Sequence, residues 1–315
     1  MIKLILILLI SSILVYLLVS EIFYGYTDLS LRINKQLDFN LPHPLHNYNA
    51  SITKEKENYV VYSRIDTWPF EPPKSRKDIY LGISTLDKNF NVISQKIENP
   101  SPGLLIEDLR AFFWKNKKYF IGTFDKSSAF WPVILDEQYN IYDILDKDSK
   151  PYIKNKNFIP IEIKGELYII KNHNPLEILN VEKKEKSFLT DLYFSSGKRD
   201  DIPLLRGSTL YHDIGGGRFL GITHTVNLLK KYRHYFTILN ASDPKNIYIE
   251  KVSNPLCLLG ACGIEFVMGF TESFDKKSYV ITLGKKDYTS HLVVINKEDV
   301  NDYFTENSQS RSKIF

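Results

Sequence analysis

The sequence predicts an all-β fold: a five-bladed β-propeller preceded by one N-terminal transmembrane helix. Three observations predict it. Short alternating runs of apolar and polar residues, separated by Asn, Asp, Gly and Lys turns, fill the chain beyond about residue 46. A strand–turn–strand pattern recurs five times at intervals of roughly 50 to 60 residues, the length of a four-stranded blade. An apolar run from Ile2 to Val19 opens the chain, broken only by Lys3 at its edge and by Ser11 and Ser12.

That run defines the first segment, residues 1–22. It is close to the roughly 17 residues that the shortest spanning helix needs. A cleaved secretory signal is the competing reading, but Leu18-Val19-Ser20 and Phe23-Tyr24-Gly25 place bulky residues where a peptidase requires small ones. An uncleaved signal anchor is therefore favoured. Lys3 precedes the run and Glu21 and Asp28 follow it, so the positive-inside rule keeps the N-terminus cytoplasmic. The expected topology is single-pass type II, with the propeller lumenal or extracellular. Tyr16, Phe23, Tyr24 and Tyr26 suit a headgroup belt. In that compartment Asn49 and Asn240, each followed by Ala-Ser, match the glycan-acceptor motif, though only weakly.

Residues 23–45 read as a linker, stiffened by Pro42 and Pro44. Residues 46–305 carry the five blades, and 306–315 a flexible tail. The repeats begin at Asn49, Asp108, Phe158, Ser208 and Phe266, each giving two strands around a turn. A terminal strand is expected to close the first blade. No long amphipathic helix follows the anchor, although Leu228 to Tyr235 has room for one or two helical turns. Gly215-Gly216-Gly217 falls between two strands and reads as a hairpin turn, not a phosphate loop.

The chain has 315 residues, 43% hydrophobic and 25% charged, which excludes disorder. Lys and Arg (41) nearly balance Asp and Glu (37), and both signs are interspersed, so no basic field argues for nucleic acid. Cys257 and Cys262 make neither a disulfide framework nor a zinc site, and are expected as buried thiols unless an oxidising compartment pairs them. There is no Gly-x-Ser-x-Gly elbow, no His-Glu-x-x-His and no Asp-rich calcium loop, so neither cofactor nor metal is expected.

A propeller gathers the first residues of its inner strands around the central channel. Here those residues are polar: Asn49 and Ser51; Glu107, Asp108 and Arg110; Lys156 and Asn157; Arg206, Ser208 and Thr209; and Glu265. Second strands or their ends add Arg64, His173, Asn174, His224 and Asp287. Any one of them reads more readily as an ordinary loop residue; recurrence at the same blade position in all five repeats sets them apart.

These residues resemble the five-bladed propellers of carbohydrate-active enzymes, especially glycoside hydrolase family 130, the mannoside phosphorylases and hydrolases with their glycosyltransferase-like relatives. Glu107-Asp108-Leu109-Arg110 resembles the Glu-Asp-Pro-Arg motif that opens the second blade, with Leu109 in place of proline. Asn157-Phe158-Ile159-Pro160 is similar to the third-blade entry. Arg206-Gly207-Ser208-Thr209 with Gly221-Ile222-Thr223-His224 resembles the Gly-Gly-Thr-Pro stretch and its downstream histidine, and Leu283 to Asp287 resembles the last-blade Tyr-Gly-x-x-Asp. The resemblance spans about residues 46 to 296. It implies that Asp108 is the proton donor, and that Arg206 and His224 belong to a basic cluster for phosphate or a leaving group.

The chemistry of the residues agrees. Glycosyl transfer needs a proton delivered to the departing oxygen by a carboxyl whose pKa is lifted, and Glu107-Asp108 supplies carboxyls at a blade edge. If phosphate or a nucleotide sugar is the second substrate, cations must hold it; Arg64, Arg110, Arg206 and His224 are the candidates. Arg110 reads nearly as well as an inter-blade salt bridge to Asp108, and His224 equally well as a satisfied core histidine. Asn49, Glu107, Asn157, Thr209 and Asp287 complete the expected sugar contacts, Asp287 orienting a hydroxyl or an arginine. Trp68, Trp114, Phe130 and Trp131 are candidates for stacking on a sugar, with at least two tryptophans expected between blades instead. The competing function classes are a glycan-binding propeller without catalysis, a lectin or attachment module, and a purely structural interaction module.

Overall fold

A computed structural model describes residues 6, 7, 9–12, 27, 28, 31–42, 45–67, 79–100, 102, 103, 105–126, 129–145, 157–173, 176–183, 186–189, 205–226, 231–259 and 265–304. The architecture is a five-bladed β-propeller. Blade one is His46–Glu55, Asn58–Asp66, Tyr80–Leu86 and Val92–Glu98, antiparallel and in sequence order. Blade two runs Leu105–Trp114, Lys117–Lys126, Ala129–Asp136 and Ile141–Ile144, and blade three Ile159–Ile163, Glu166–His173, Leu176–Asn180 and Lys186–Leu189.

Blade four is interrupted at both edges. Its inner edge is split into Arg206–Gly207 and His212–Gly215, which both pair with Arg218–Val226. Its outer edge is split into Tyr248–Val252 and Leu256–Cys257, which both pair with Tyr232–Asn240. The Leu228 to Tyr235 segment is therefore not helical where it is described: Tyr232 onward is strand, because the residues alternate between the two blade faces. The expected hairpin at Gly215-Gly216-Gly217 is present, all three glycines at positive φ.

Blade five has three strands from the end of the chain, Glu265–Glu272, Ser278–Lys285 and Thr289–Asn296, and a fourth, Leu31–Leu37, from its beginning. Two expectations are corrected here. Residues 31–37 are a strand, not part of a linker, and the blade closed by a terminal strand is the last, not the first. Leu31 pairs with Ile295 and Leu37 with Ser290, and Leu37 is buried among Ala50, Ile52 and Tyr59. The isolated run LRINKQL shows weak alternation because its outer face is solvated. Thr27–Asp28 also pairs, in parallel, with Leu256–Cys257. Cys257 is disulfide-bonded, which overturns the buried-thiol expectation for it; Cys262 lies outside the described residues.

The core consists of five apolar clusters, one at each blade interface. Strand alternation fills them. In blade one, Tyr59 and Val61 face blade five while Val60 and Tyr62 face blade two; in blade two, Phe120 faces blade one while Tyr119 and Ile121 face blade three. Each fully buried Val, Leu, Ile or Phe contributes about 1.5–3 kcal/mol. Trp114 is one such wedge, its indole N–H donating to the Gly165 carbonyl of blade three. A short helix, Lys297–Asp302, ends the fold with Glu298 and Asp299 in its first turn, where the helix dipole favours acids, and Val300 packed into the blade four–five cluster. Among the described residues no helix is long and apolar enough to cross a membrane; most of the apolar run at the N-terminus, and residues 306–315, lie outside them.

Candidate active site

Two matching irregularities build the site. In blade one Tyr48 pairs with Arg64 and Ser51 with Tyr62, so Asn49 and Ala50 together oppose one residue. In blade two Glu107 pairs with Thr123 and Arg110 with Ile121, so Asp108 and Leu109 do the same. Each is a β-bulge whose first residue is left-handed, Asn49 at φ 50° and Asp108 at φ 56°. Asn and Asp are the non-glycine residues that tolerate this region best.

The bulge changes which way the carboxyls point. Strict alternation would send Glu107 and Asp108 to opposite faces. Instead both reach Arg64 of the neighbouring blade: Nη2 donates to Glu107 Oε1 at 3.1 Å and Nη1 to Asp108 Oδ1 at 3.4 Å. Asn49 Nδ2 donates to the same Asp108 oxygen at 3.1 Å, and Ser51 Oγ to the Leu109 carbonyl at 2.9 Å, so the two bulges are tied together. Leu109 turns into the blade one–two core, as its place in the motif requires.

Arg64 is itself anchored. Its Nε and Nη2 donate to Asp66 Oδ2 at 2.9 and 2.7 Å, and Tyr48 OH donates to Asp66 Oδ1 at 2.8 Å. Burial works to deprotonate the guanidinium, but Glu107, Tyr48, Asp66 and Asp108 outweigh it and hold its pKa above the usual arginine value. Arg110 is the contrast. It has no carboxylate bond; Nε donates to the Ser208 carbonyl and Nη1 to the Asp108 carbonyl, both at 3.1 Å, and burial pulls its pKa down to about 10, with Asp108 offsetting only part. The competing reading of Arg110, an inter-blade salt bridge to the Asp108 side chain, gives way to two bonds to backbone oxygens among the described residues.

Blade four supplies the facing wall. Arg206 pairs in register with His224, and no ion pair engages Arg206 among the described residues. Ser208 Oγ lies 2.7 Å from His224 Nδ1. Burial drives the His224 pKa far down, with His234, Arg206, Arg110 and His173 adding to it. Thr209, expected to touch substrate, is consumed by the fold: its hydroxyl accepts from the Ile222 amide at 2.9 Å and donates to the Leu210 carbonyl at 3.0 Å. Asn157 is buried at the entry to blade three, where its carbonyl lies 3.0 Å from where a Cβ on Gly207 would sit; only glycine lets the two blades approach there. Asp287 is half-exposed in the hairpin turn after Ser278–Lys285. The same strand end reaches blade one, since a Cβ on Gly284 would meet Asn49 Oδ1 at 2.5 Å. Asn49 is thus buried and bonded, which removes it as a glycan acceptor. Lys156, Asn174 and Trp68 lie outside the described residues.

Glu265 opens blade five. Burial raises its carboxyl pKa against the opposing pull of the Leu258 and Leu259 amides and Lys285. With it a pattern becomes visible. Among the described residues every blade holds at least one buried polar side-chain atom without a protein partner, and these include Asn49 Oδ1, Arg110 Nη2, His173 Nδ1, His224 Nε2 and Glu265 Oε1. Leaving such a group unsatisfied costs about 1–3 kcal/mol, so these atoms are places where a polar ligand or water would be held. Among the described residues no cluster of His, Cys, Asp and Glu could hold a metal.

Sequence reasoning missed Asp66, Tyr48 and Tyr211. Asp66 was within reach of it, since residues two apart on a strand share a face and Arg64-x-Asp66 therefore pairs along one strand.

No protein-family model matches the sequence, and neither does any curated protein. Solved structures do. The β-1,2-mannobiose phosphorylase from Listeria innocua, in complex with β-1,2-mannobiose, aligns with a TM-score of 0.61 at 12% identity, covering 85% of this chain and 95% of that one. The mannose phosphorylase MPT-4 from Leishmania mexicana, in complex with phosphate ion, aligns at 0.55 and 14% identity, covering 88% and 92%. A structure from glycoside hydrolase family 130, described as mannoside phosphorylases that include hydrolases of β-1,2 mannosidic linkages in Candida mannan, aligns at 0.55 and 12% identity, covering 80% and 85%. The chain shares the fold of these propellers.

The histidines make the fold pH-sensitive. His173 and His234 are pushed down to about 3 by burial, against 6.5 when unfolded, and His224 is lowered as well. Below pH 6.5 the unfolded chain binds protons that the folded one refuses, so stability is complete above 6.5 and falls toward pH 3. Urea unfolding is expected to lose up to about 1.4 kcal/mol per pH unit per histidine below the unfolded pKa. A midpoint that stays flat from pH 6.5 to 5 would contradict this assignment.

Proposed function

We propose that the chain is a membrane-anchored glycoside-cleaving enzyme acting on a mannoside, with Asp108 as proton donor. One observation carries the reading: a carboxyl pair clamped by Arg64 sits in a propeller whose five blades each leave a buried polar atom unsatisfied. The fold shared with mannoside phosphorylases supports it.

In this reading a sugar fills the site and exchanges its hydroxyls for the missing partners. Asp108, a carboxylate in the free site, takes up a proton as the sugar binds; when the glycosidic C–O bond breaks that proton passes to the departing oxygen, directly or through a sugar hydroxyl, and Arg64 and Asn49 stabilise the carboxylate left behind. An oxygen of phosphate forms the new bond to the anomeric carbon in phosphorolysis, or one of water in hydrolysis. Arg206 and His224 hold the anion in the first case. Glycosyl transfer from a nucleotide sugar would use the same cations.

The anchor is part of the proposal. Residues 6, 7 and 9–12 are helical and expose Leu6, Ile7, Leu9 and Ile10, apolar surface that a bilayer would cover. Protease added to sealed vesicles should leave a lumenal propeller intact; its digestion without detergent would reverse the type II orientation.

Asp108→Asn should keep the fold and sugar binding while lowering turnover by roughly 10²-fold or more, as loss of a general acid does. Arg206→Ala should instead weaken phosphate with little change in sugar affinity. Normal turnover by Asp108→Asn would refute the mapping. Sugar binding by the wild type without turnover of any glycoside, with phosphate or without, would replace the enzyme by a lectin.

A further inference from the structure

Two buried histidines flank Gly207, and each has one nitrogen capped by a hydroxyl. Ser208 Oγ caps His224 Nδ1 at 2.7 Å, and Tyr211 OH caps His173 Nε2 at 3.1 Å. The other nitrogens, His224 Nε2 and His173 Nδ1, are buried and have no partner among the described residues. Three consecutive residues bring the group together. Arg206 is paired with His224, Gly207 would touch His173 Cε1 at 3.0 Å through a Cβ, and Ser208 receives Arg110 Nε on its carbonyl.

Among the described residues each cap has one hydrogen-bond partner. A buried hydroxyl needs somewhere to donate, and among the described residues the imidazole nitrogen is the only partner of either side-chain hydroxyl, which puts the proton on oxygen and the lone pair on the capped nitrogen. In a neutral ring the second nitrogen then bears the hydrogen. His224 presents Nε2–H and His173 presents Nδ1–H.

We propose that Ser208 and Tyr211 are positioning residues that fix these tautomers, so that two neutral imidazoles join Arg110 and Arg206 in a donor-only pocket for a phosphate-like anion. The inference rests on the proposed reading of the site and goes beyond it by assigning the two hydroxyls and His173. The remaining groups around the pocket fit. His234 has its own Nε2 occupied by the Val267 amide at 3.2 Å, and Phe266 packs edge-on against His224. Two acids border the group: Glu265, whose carboxyl pKa is raised by burial, and Asp108, whose side chain is engaged by Arg64 and Asn49.

The tautomers are read directly in long-range proton–nitrogen spectra of the full chain labelled with ¹⁵N-histidine at pH 7, without ligand. The expected result is a lone pair on Nδ1 of His224 and on Nε2 of His173. Ser208→Ala and Tyr211→Phe should each give a mixed tautomer at their own histidine and bind inorganic phosphate roughly tenfold more weakly. A protonated Nδ1 on His224 or Nε2 on His173 in the wild type overturns the inference, whatever phosphate does. Unchanged phosphate affinity in both variants also overturns it, since the hydroxyls would then serve only the fold. If the wild type binds no phosphate while Asp108→Asn still abolishes turnover, the anion pocket falls and the glycoside reading stands. If the tautomers and the phosphate losses appear but no glycoside is cleaved, the inference stands and the enzyme reading falls.

Discussion

A buried guanidinium among three carboxylates is the constraint on which the rest of the structure depends. Arg64 is held by Asp66 on its own strand and holds Glu107 and Asp108 on the next blade. Three acids this close would repel one another if the cation were absent, and a guanidinium this deep would be intolerable without the acids. The pairing therefore fixes blade one against blade two at the level of the axis. It also fixes which way the carboxyls face, which is the condition for any chemistry they perform.

The propeller explains why such a cluster can exist. Five apolar interfaces close the ring, the last sealed by Leu31–Leu37 from the far end of the chain, and their summed burial supports a polar centre that would not stand alone. Strain is concentrated where it is used. The left-handed residues Asn49 and Asp108 sit at the inner ends of adjacent blades and hydrogen-bond to each other, so the cost of each bulge is offset by the contact it makes available. Arg110 and the histidines are the other half of the centre. They are buried, and the net shift of each runs toward the neutral form, Asp108 offsetting only part of the effect at Arg110. A site with an over-anchored cation on one side and under-satisfied donors on the other is polarised before any ligand arrives.

Much of this was legible in the sequence, for a definite reason. Blade repeats impose the same two-residue alternation five times, so strands such as Asn58–Asp66 and Glu166–His173 announce themselves, and the inner ends follow from topology. Leu31–Leu37 was not legible, because an edge strand solvated on one face lacks the pattern that marks an interior one. The facing of Glu107 and Asp108 was hidden too. Alternation pairs Asp108 with Arg110, whereas the bulge pairs Asp108 with Glu107 on Arg64, and a single left-handed residue leaves no periodic trace. Thr209 reads as a ligand contact because its position is polar; in the fold the Ile222 amide and Leu210 carbonyl already engage its hydroxyl.

The central claim is that Arg64 is the counter-charge around which the site is assembled, and unfolding of Arg64→Met in urea at pH 7 tests it most directly. Methionine keeps most of the side chain's volume but strands three buried carboxylates. The account predicts a loss of about 3–5 kcal/mol relative to the wild type, the range for breaking a buried ion pair by removing one partner. A loss below about 1 kcal/mol, within what an exposed ion pair contributes, would contradict it.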